Sequence, residues 1–434
     1  MKIGMVTACY KPVVNGVTRM ISLYKTFLSA MGHDVYVFTL GTADPVGDEP
    51  GVIRSPGLPL GDSGYYVAAG YSPEARHLLH EMDIIHCHHL FMSVEMAHRY
   101  GRAPIVYTNH TRYDLYANAV TNIPQPVADA IMRQIWPEFT DFADVVITPS
   151  ESVRQVMLDF GVRRPIEVIE NGVDIRPFQN PTHPYSKTDL GLPQDAVLFV
   201  YVGRLANEKN LTALISQFAI VVDLFPQAYL LVIGSGPDMD ALQVYAAELG
   251  IARHVYFTGS VAYPELPNYL AAADVFVTAS VSEVHPLTVI EAMAAGLPVT
   301  AVQSPGISDI VTNGYTGLLT NQPDGGLAAA MTALTTNPAY RQQLAENAYR
   351  DSARFDITHT VNRTVALYER LRETRPDRQR EKEHGRWIQN RAGWLPRVGQ
   401  LADILRAGEK RGTGPLKWFT DTFISDDEEE HFSP

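Results

Sequence analysis

The sequence predicts an α/β protein in which two Rossmann-like, doubly wound domains face each other across a cleft, followed by a C-terminal extension. Short apolar stretches with strand character alternate with helical patterns twice along the chain. A polar, proline-rich stretch at residues 179–195 separates the two series. Apolar strands joined by helical segments indicate parallel βαβ units with helices on both faces of each sheet.

The order of these patterns defines the predicted domains. The first series has strands at residues 2–8, 34–40, 83–88, 104–108, 144–148 and 166–169, with a helix at 16–31. The second series has strands at residues 197–202, 229–233, 254–257, 274–278 and 298–302. We therefore place a first domain at residues 1–178, a linker at 179–195 and a second domain at 196–357. Ligands of such sheets bind beyond the carboxyl ends of the strands.

The composition limits the classes of function. At 434 residues the chain is long enough for two domains. Its net charge of −13 argues against a nucleic-acid partner, and no apolar run approaches the ~20 residues that span a bilayer. The two cysteines exclude a disulfide scaffold and fit a reducing compartment. Because the chain enters a strand pattern at once, with no room for a signal peptide, we expect a cytoplasmic protein.

The most informative stretch covers residues 282–299. Its two carboxylates, Glu283 and Glu291, are eight residues apart and flank a proline that suits the first turn of a helix. Glu283 is then expected in a loop above the sheet, and Glu291 inside the helix. The helix N-terminus between them favours a phosphate, and a carboxylate accepts hydrogen bonds from sugar hydroxyls. The donor-binding residues expected in this stretch are His285, Pro286, Leu287 and Glu291.

This Glu-x7-Glu pattern resembles the retaining glycosyltransferases that share the GT-B fold, a family that includes sucrose synthase-like enzymes. Three other stretches agree in the same order: a glycine-containing loop at residues 10–17, an Asn-Gly-Val-Asp turn at 171–174 and a Gly-Arg-Leu…Glu-Lys-Asn loop at 203–210. The conjunction is more specific than any single motif. The resemblance implies a nucleotide-sugar co-substrate, no cofactor and no metal. It also implies that a helix at residues 358–372 crosses back to the first domain.

A nucleotide-sugar transferase must hold a diphosphate leaving group, which cationic side chains and helix ends stabilise where no metal acts. Arg204 and Lys209 are the candidates, because Arg offers a planar fork and Lys a point charge. The resemblance assigns the same two residues to the diphosphate. Gly16 allows the backbone to approach the donor's phosphates, whereas Gly234 and Gly236 follow a strand and are expected to border the nucleotide.

The resemblance assigns Glu291 to the ribose hydroxyls and Glu283 to the transferred hexose. In the family a Phe-Gly pair usually follows the first carboxylate, but here Val284-His285-Pro286 follows it. A proline has no N–H to offer, so the hydrogen bonds around the sugar differ and the sugar's identity stays open.

His110, just beyond a predicted strand, matches the family's active-site histidine. Its spacing to Tyr113 and Tyr116 resembles bacterial diacylglycerol glucosyltransferases, as does the histidine cluster at residues 86–89. We interpret that cluster as strand-end packing that does not converge on a metal, with His89 near the acceptor. The loop at residues 113–126 either receives an acceptor's alkyl portion or packs under the domain edge.

The sequence thus predicts a retaining, metal-independent hexosyltransferase whose catalytic residues are His110, Glu283, Arg204 and Lys209. UDP-glucose is the favoured donor, and a membrane lipid such as diacylglycerol the favoured acceptor. A GDP-mannose-dependent enzyme acting on a lipid, polyol or saccharide stays open, as does a non-catalytic sugar-nucleotide-binding protein. The extension at residues 373–434 is basic and aromatic with an acidic tail. It either lies on the inner face of the plasma membrane or packs as an extra helix.

Overall fold

The structure is built on two parallel sheets, one in each half of the chain. It is a computed structural model that describes residues 1–43, 47–59, 64–68, 70–113, 115, 124–321 and 325–374. The strands of the first half are β1 (Lys2–Val6), β2 (Asp34–Leu40), β3 (Val52–Ser55), β4 (Leu58–Pro59), β5 (Tyr66–Val67), β6 (Ile84–Cys87), β7 (Ile105–Thr108), β8 (Val145–Thr148) and β9 (Ile166–Val168). Those of the second half are β10 (Val197–Val202), β11 (Ala228–Ile233), β12 (Val255–Gly259), β13 (Val275–Thr278), β14 (Val299–Val302) and β15 (Gly317–Thr320).

The strand order is that of a doubly wound fold in both halves. The first sheet runs β3-β2-β1-β6-β7-β8-β9 and the second β12-β11-β10-β13-β14-β15, with every pair parallel. A separate antiparallel pair joins β4 and β5. In each sheet the order reverses at the centre, between β1 and β6 and between β10 and β13, and a crevice opens at such a switch point. The predicted α/β fold is therefore confirmed.

Helices connect the strands on both faces of the sheets. Those of the first half are α1 (Gly16–Ala30), α2 (Pro73–His80), α3 (Glu95–Tyr100), α4 (Gln125–Thr140), α5 (Glu151–Asp159) and α6 (Arg176–Gln179). Those of the second half are α7 (Leu211–Leu224), α8 (Met239–Glu248), α9 (Leu266–Leu270), α10 (Leu287–Ala294), α11 (Pro305–Ser308), α12 (Gly326–Thr336), α13 (Pro338–Asp351) and α14 (Ile357–Thr374). Short helical turns occur at Leu90–Val94, Asn207–Lys209, Tyr263–Glu265 and Ser352–Phe355.

Local sequence signals determine where the helices that border the cleft begin and end. Asn15 caps α1 through a reciprocal pair of hydrogen bonds with Thr18, in which each side chain accepts from the other's backbone N–H. Helix α10 follows Pro286, and Gly296, in a left-handed conformation (φ 78°), follows its end. Both helix N-termini are thereby fixed at the edge of the cleft.

One hydrophobic cluster extends across both halves of the chain. It includes Ile21 of α1 and Val106 of β7 together with Phe276 of β13 and Ile290 of α10. Helix α14 belongs to the same cluster and packs on the first half, where the hydroxyls of Thr364 and Tyr24 lie 3.2 Å apart. Among the described residues no helix combines the length and apolar character needed to cross a bilayer.

Candidate active site

The loops that follow the central strands of the two sheets carry most of the polar residues expected at the site. The loop after β10 and the loop after β13 are tied together, because the Ser282 hydroxyl donates to the backbone carbonyl of Glu208 (3.2 Å) and the Asn210 amide donates to that of Ala279 (3.4 Å). The two loops therefore form one rim on the second sheet.

Lys209 and Glu283 meet on this rim. The Lys209 ammonium donates to Glu283 Oε1 at 2.7 Å, and both side chains are about one-fifth exposed. Burial raises the pKa of a carboxyl, but the adjacent ammonium outweighs that effect and holds the pKa of Glu283 below its ordinary value. Glu283 is therefore an anion at neutral pH, and the ammonium predicted for the phosphates already has a partner.

Arg204 occupies the outer part of the same rim. Its guanidinium pairs with the Glu208 carboxylate one helical turn away, and its side chain is half exposed. The Tyr201 hydroxyl donates to the Arg204 carbonyl at 3.2 Å, which orients the backbone here. A diphosphate would therefore have to compete with the Glu208 carboxylate for the Arg204 guanidinium.

Glu291 forms an ion pair with the first half of the chain. Its carboxylate lies 3.2 Å from Arg19 Nε of α1, and the Tyr263 hydroxyl donates to the same oxygen at 3.2 Å. The guanidinium lies over the Tyr263 ring. Burial raises the pKa of Glu291, which Arg19 partly offsets, and burial lowers the pKa of Arg19 to about 10. The contact between Arg19 and Glu291 connects the two halves across the cleft.

The three predicted glycines have different surroundings. A Cβ on Gly234 would lie 1.9 Å from the Gly203 carbonyl oxygen, and one on Gly236 would lie 2.2 Å from that of Leu205. These two glycines therefore allow the backbone to pack on the loop after β10. By contrast, a Cβ on Gly16 would have no heavy atom within 4 Å, so the space at the N-terminus of α1 is open.

The residues between the two carboxylates are mostly buried. His285 and Leu287 are buried in the described structure, and the backbone carbonyl of His285 accepts from the Asn171 amide at 3.1 Å. The His285 ring packs edge-on against Phe355, and neither ring nitrogen has a partner among the described residues. Burial, together with Arg354, lowers the pKa of His285 to about 3, so the ring is neutral. Pro286 precedes α10 and offers no N–H, so the donor-binding role of this segment stays a prediction.

Three histidine rings meet at the carboxyl ends of β6 and β7. The ring centres of His86 and His88 are 4.2 Å apart, and His88 Nδ1 lies 3.1 Å from His110 Nε2. His86 and His88 occupy alternate positions of a strand end and point to one face, and their contacts agree with the interpretation of this cluster as strand-end packing. They bind each other and hydroxyl groups: His86 contacts the hydroxyls of Tyr368 and Thr108, both at 2.6 Å.

His89 points to the other side of this strand end. Nδ1 of His89 lies 2.9 Å from the Thr7 hydroxyl oxygen and 3.3 Å from the Ala8 backbone nitrogen. Burial lowers the pKa of His89 to about 4, so the ring is neutral. No described residue pairs with Nε2, which is buried.

An aromatic cluster borders His89 on the first half of the chain. The Tyr113 hydroxyl accepts from the Leu90 backbone N–H at 3.2 Å, and its ring contacts Phe91 and Trp136 edge-on. Phe91 is one of the exposed large apolar residues, with 38% of its surface accessible. The described residues do not include residues 116–123 of the loop at 113–126, among them Tyr116. They also do not include residues 375–434 of the extension.

No group of three or more His, Cys, Asp or Glu side chains in the described part of the chain has the arrangement of a metal site. Asp238 precedes α8 and Asp240 lies in its first turn, but the Asp238 side chain accepts no capping hydrogen bond.

Sequence reasoning missed Arg19, Tyr263 and His88. Arg19 lies three residues after Gly16 and therefore on the same face of α1, which is the signal that could have identified it. His88 alternates with His86 along a strand, and that spacing indicated a common face. Nothing in the sequence marked Tyr263, because its role depends on the opposite half of the chain.

Comparisons with known proteins agree with this geometry. A family model described as Glycosyltransferase Family 4 matches residues 14–176, and one described as Glycosyl transferases group 1 matches residues 184–351. The alpha-monoglucosyldiacylglycerol synthase of Streptococcus pneumoniae is 30% identical over 81% of this chain and 83% of its own. That of Acholeplasma laidlawii is 27% identical over 80% and 92%. Sucrose-phosphate synthase from Thermosynechococcus elongatus shares the fold, with a TM-score of 0.69 and 22% identity over 86% of this chain and 99% of its own.

Proposed function

The chain belongs to the glycosyl transferases group 1 and is a hexosyltransferase with the GT-B fold, and from this premise we propose that it transfers glucose from UDP-glucose to diacylglycerol. The reaction retains the configuration at the anomeric carbon and needs no metal. The observation that carries the proposal is the convergence of Lys209, Glu283 and Arg204 on one rim of the second sheet.

The diphosphate of the donor takes the place of two carboxylates. Lys209 pairs with Glu283 and Arg204 with Glu208 before the donor arrives. A diphosphate oxygen competes well for both cations, because Arg binds phosphate through two parallel hydrogen bonds. As the sugar–oxygen bond breaks, the two cations stabilise the charge that develops on the leaving phosphate.

The sugar lies between Glu283 and His110. Released from Lys209, the Glu283 carboxylate accepts hydrogen bonds from hexose hydroxyls, and Glu291 accepts those of the ribose. The bond from the anomeric carbon to the phosphate oxygen breaks, and the electron pair leaves with UDP. The acceptor oxygen bonds to the same face of that carbon, and its proton passes to a phosphate oxygen of the leaving UDP.

The acceptor enters along the first half of the chain. Nε2 of His89, which has no partner among the described residues, forms a hydrogen bond with the acceptor's polar head. The exposed Phe91 and the adjacent Tyr113 ring offer an apolar contact for its alkyl chains. Diacylglycerol is proposed because the relatives from Streptococcus pneumoniae and Acholeplasma laidlawii are alpha-monoglucosyldiacylglycerol synthases. With such an acceptor, the proposed reaction takes place at a membrane surface.

The test is nucleoside diphosphate release from UDP-glucose, UDP-galactose and GDP-mannose, with and without vesicles that contain diacylglycerol. We expect UDP release from UDP-glucose that requires diacylglycerol and is unaffected by EDTA, and an α-linked product by proton NMR. Preference for GDP-mannose would favour the mannosyltransferase, and donor binding without release a sensor. Turnover that is equally fast without vesicles would contradict the lipid acceptor. Glu283→Gln should abolish release, whereas Asp240→Asn, a change in the first turn of α8, should leave it unchanged.

A further inference from the structure

The hydrogen bond between His88 and His110 has a directional geometry. Their ring centres are 5.4 Å apart with an interplanar angle of 15°, and Nδ1 of His88 lies 3.1 Å from Nε2 of His110. The two nitrogens can be this close while the ring centres are this far apart only if both nitrogens lie near the line that joins the centres. The rings are therefore edge to edge and nearly coplanar, the arrangement in which an imidazole N–H points at an imidazole lone pair.

His88 is held in place from its other side. The His86 ring packs against it at 4.2 Å, and the Tyr24 ring lies 5.9 Å away. His86 is itself fixed by the hydroxyls of Tyr368 on α14 and Thr108 at the end of β7. The orientation of His110 is thus set by a rigid stack anchored on two structural elements.

Neither ring of the pair carries a charge at neutral pH. Burial lowers the pKa of His110 to about 3, with a further contribution from His89 and His86, and burial lowers that of His88 as well. Two neutral imidazoles share a single proton in their bond, so the tautomer of one determines the tautomer of the other.

The burial of His88 Nε2 selects one of the two tautomers. This atom is buried and has no partner among the described residues. A proton on Nε2 would be a buried N–H donor without an acceptor, a rare situation in folded proteins. A proton on Nδ1 is used in the bond to His110.

We propose that His88 is a positioning residue that donates from Nδ1 to His110 Nε2 and thereby fixes His110 as the tautomer with its proton on Nδ1. His110 then presents an N–H donor to the oxygen atoms of the bound hexose. This inference rests on the proposed role of His110 next to the sugar, but not on the identity of the acceptor.

Two substitutions separate positioning from packing. His88→Asn places an amide N–H₂ where Nδ1 was and keeps the donor, whereas His88→Leu keeps the volume and removes the bond. We expect His88→Leu to lower kcat about 10- to 100-fold with an unchanged KM for the donor, and His88→Asn to restore most of kcat. Equal losses in both variants, or no loss in His88→Leu, would overturn the proposal.

A measurement on the protein alone supplies an independent readout. Nitrogen-15 NMR of the histidine rings distinguishes the two tautomers, and the His110 signals are those lost in His110→Gln. We expect His110 to be protonated on Nδ1 in the parent protein and to become a tautomer mixture in His88→Leu. A parent His110 protonated on Nε2 would refute the inference. Full activity of His110→Ala would instead show that the proposed catalytic role of His110 is wrong.

Discussion

Replacing Arg19 by methionine tests the ion pair that joins the two halves of the molecule. The change keeps the length of the stem and removes the charge, so the Glu291 carboxylate is left buried without its cation. Only 2% of the Glu291 side chain is exposed, and 16% of that of Arg19. Removing one partner of such a buried pair costs about 3–5 kcal/mol of unfolding free energy.

Comparison with the other single variant gives the expected order. Glu291→Gln leaves Arg19 unpaired, but its guanidinium is the more exposed group and keeps its contact with the Tyr263 ring, which stabilises a cation by about 1–2 kcal/mol. Glu291→Gln should therefore be less destabilising than Arg19→Met. The double variant buries no charge, and its stability should lie within about 1 kcal/mol of the parent.

The stability lost in Arg19→Met should increase with pH. Burial raises the pKa of Glu291 in the folded protein, so its contribution to stability is fully present below the unfolded value of about 4.3 and is lost as the pH rises through the folded value. Arg19→Met raises that folded pKa further. The deficit of Arg19→Met should consequently be larger at pH 8 than at pH 5.

Denaturant unfolding at the two pH values measures these differences. Arg154→Met is the matched control, because its pair with Glu151 on α5 is exposed and contributes about 1 kcal/mol or less. The reasoning is refuted if the double variant is as unstable as Arg19→Met, or if the Arg19→Met deficit does not depend on pH.

Three further predictions concern the site itself. Because the pKa of His110 is near 3, its ring stays neutral from pH 5 to 8. The pH profile of kcat/KM should therefore have the same shape around pH 6.5 in the parent and in His110→Gln. Gly234→Ala should unfold the second half, since its Cβ would meet a carbonyl at 1.9 Å, whereas Gly16→Ala should leave the melting temperature unchanged and weaken UDP binding in calorimetry about tenfold. Lys209→Met should lower kcat about 10²- to 10³-fold, and Arg204→Lys by less; equal rates for Lys209→Met and the parent would contradict the assignment.

The sequence predicts the central strands of both sheets and two of the four edge strands, β9 and β12, but not the other two. Strands such as β10 are buried on both faces and read as continuous apolar runs. Two edge strands, β3 and β15, were missed. The first contains Arg54, which pairs with Asp48, and the second begins at Gly317 and is half-buried over most of its length. Edge strands tolerate charge and glycine, so their patterns resemble those of loops.

The sequence likewise predicts some residues of the candidate site and not others. Glu283, Lys209 and His110 could be assigned to the cleft because they follow strands whose carboxyl ends meet there. Their partners could not be assigned. The contact of Arg19 with Glu291 depends on how the two halves dock, and no local pattern in either half encodes that arrangement.

The cations assigned to the cleft are all paired with carboxylates, and this pairing affects the rate at which the donor binds. Lys209, Arg204 and Arg19 each face an acidic partner, so these cations project little positive potential from the cleft into solution. The chain as a whole carries −13, and an anionic donor approaches against that field. Electrolyte weakens long-range repulsion, so moderate salt should accelerate capture of the donor, the reverse of what electrostatically steered enzymes show.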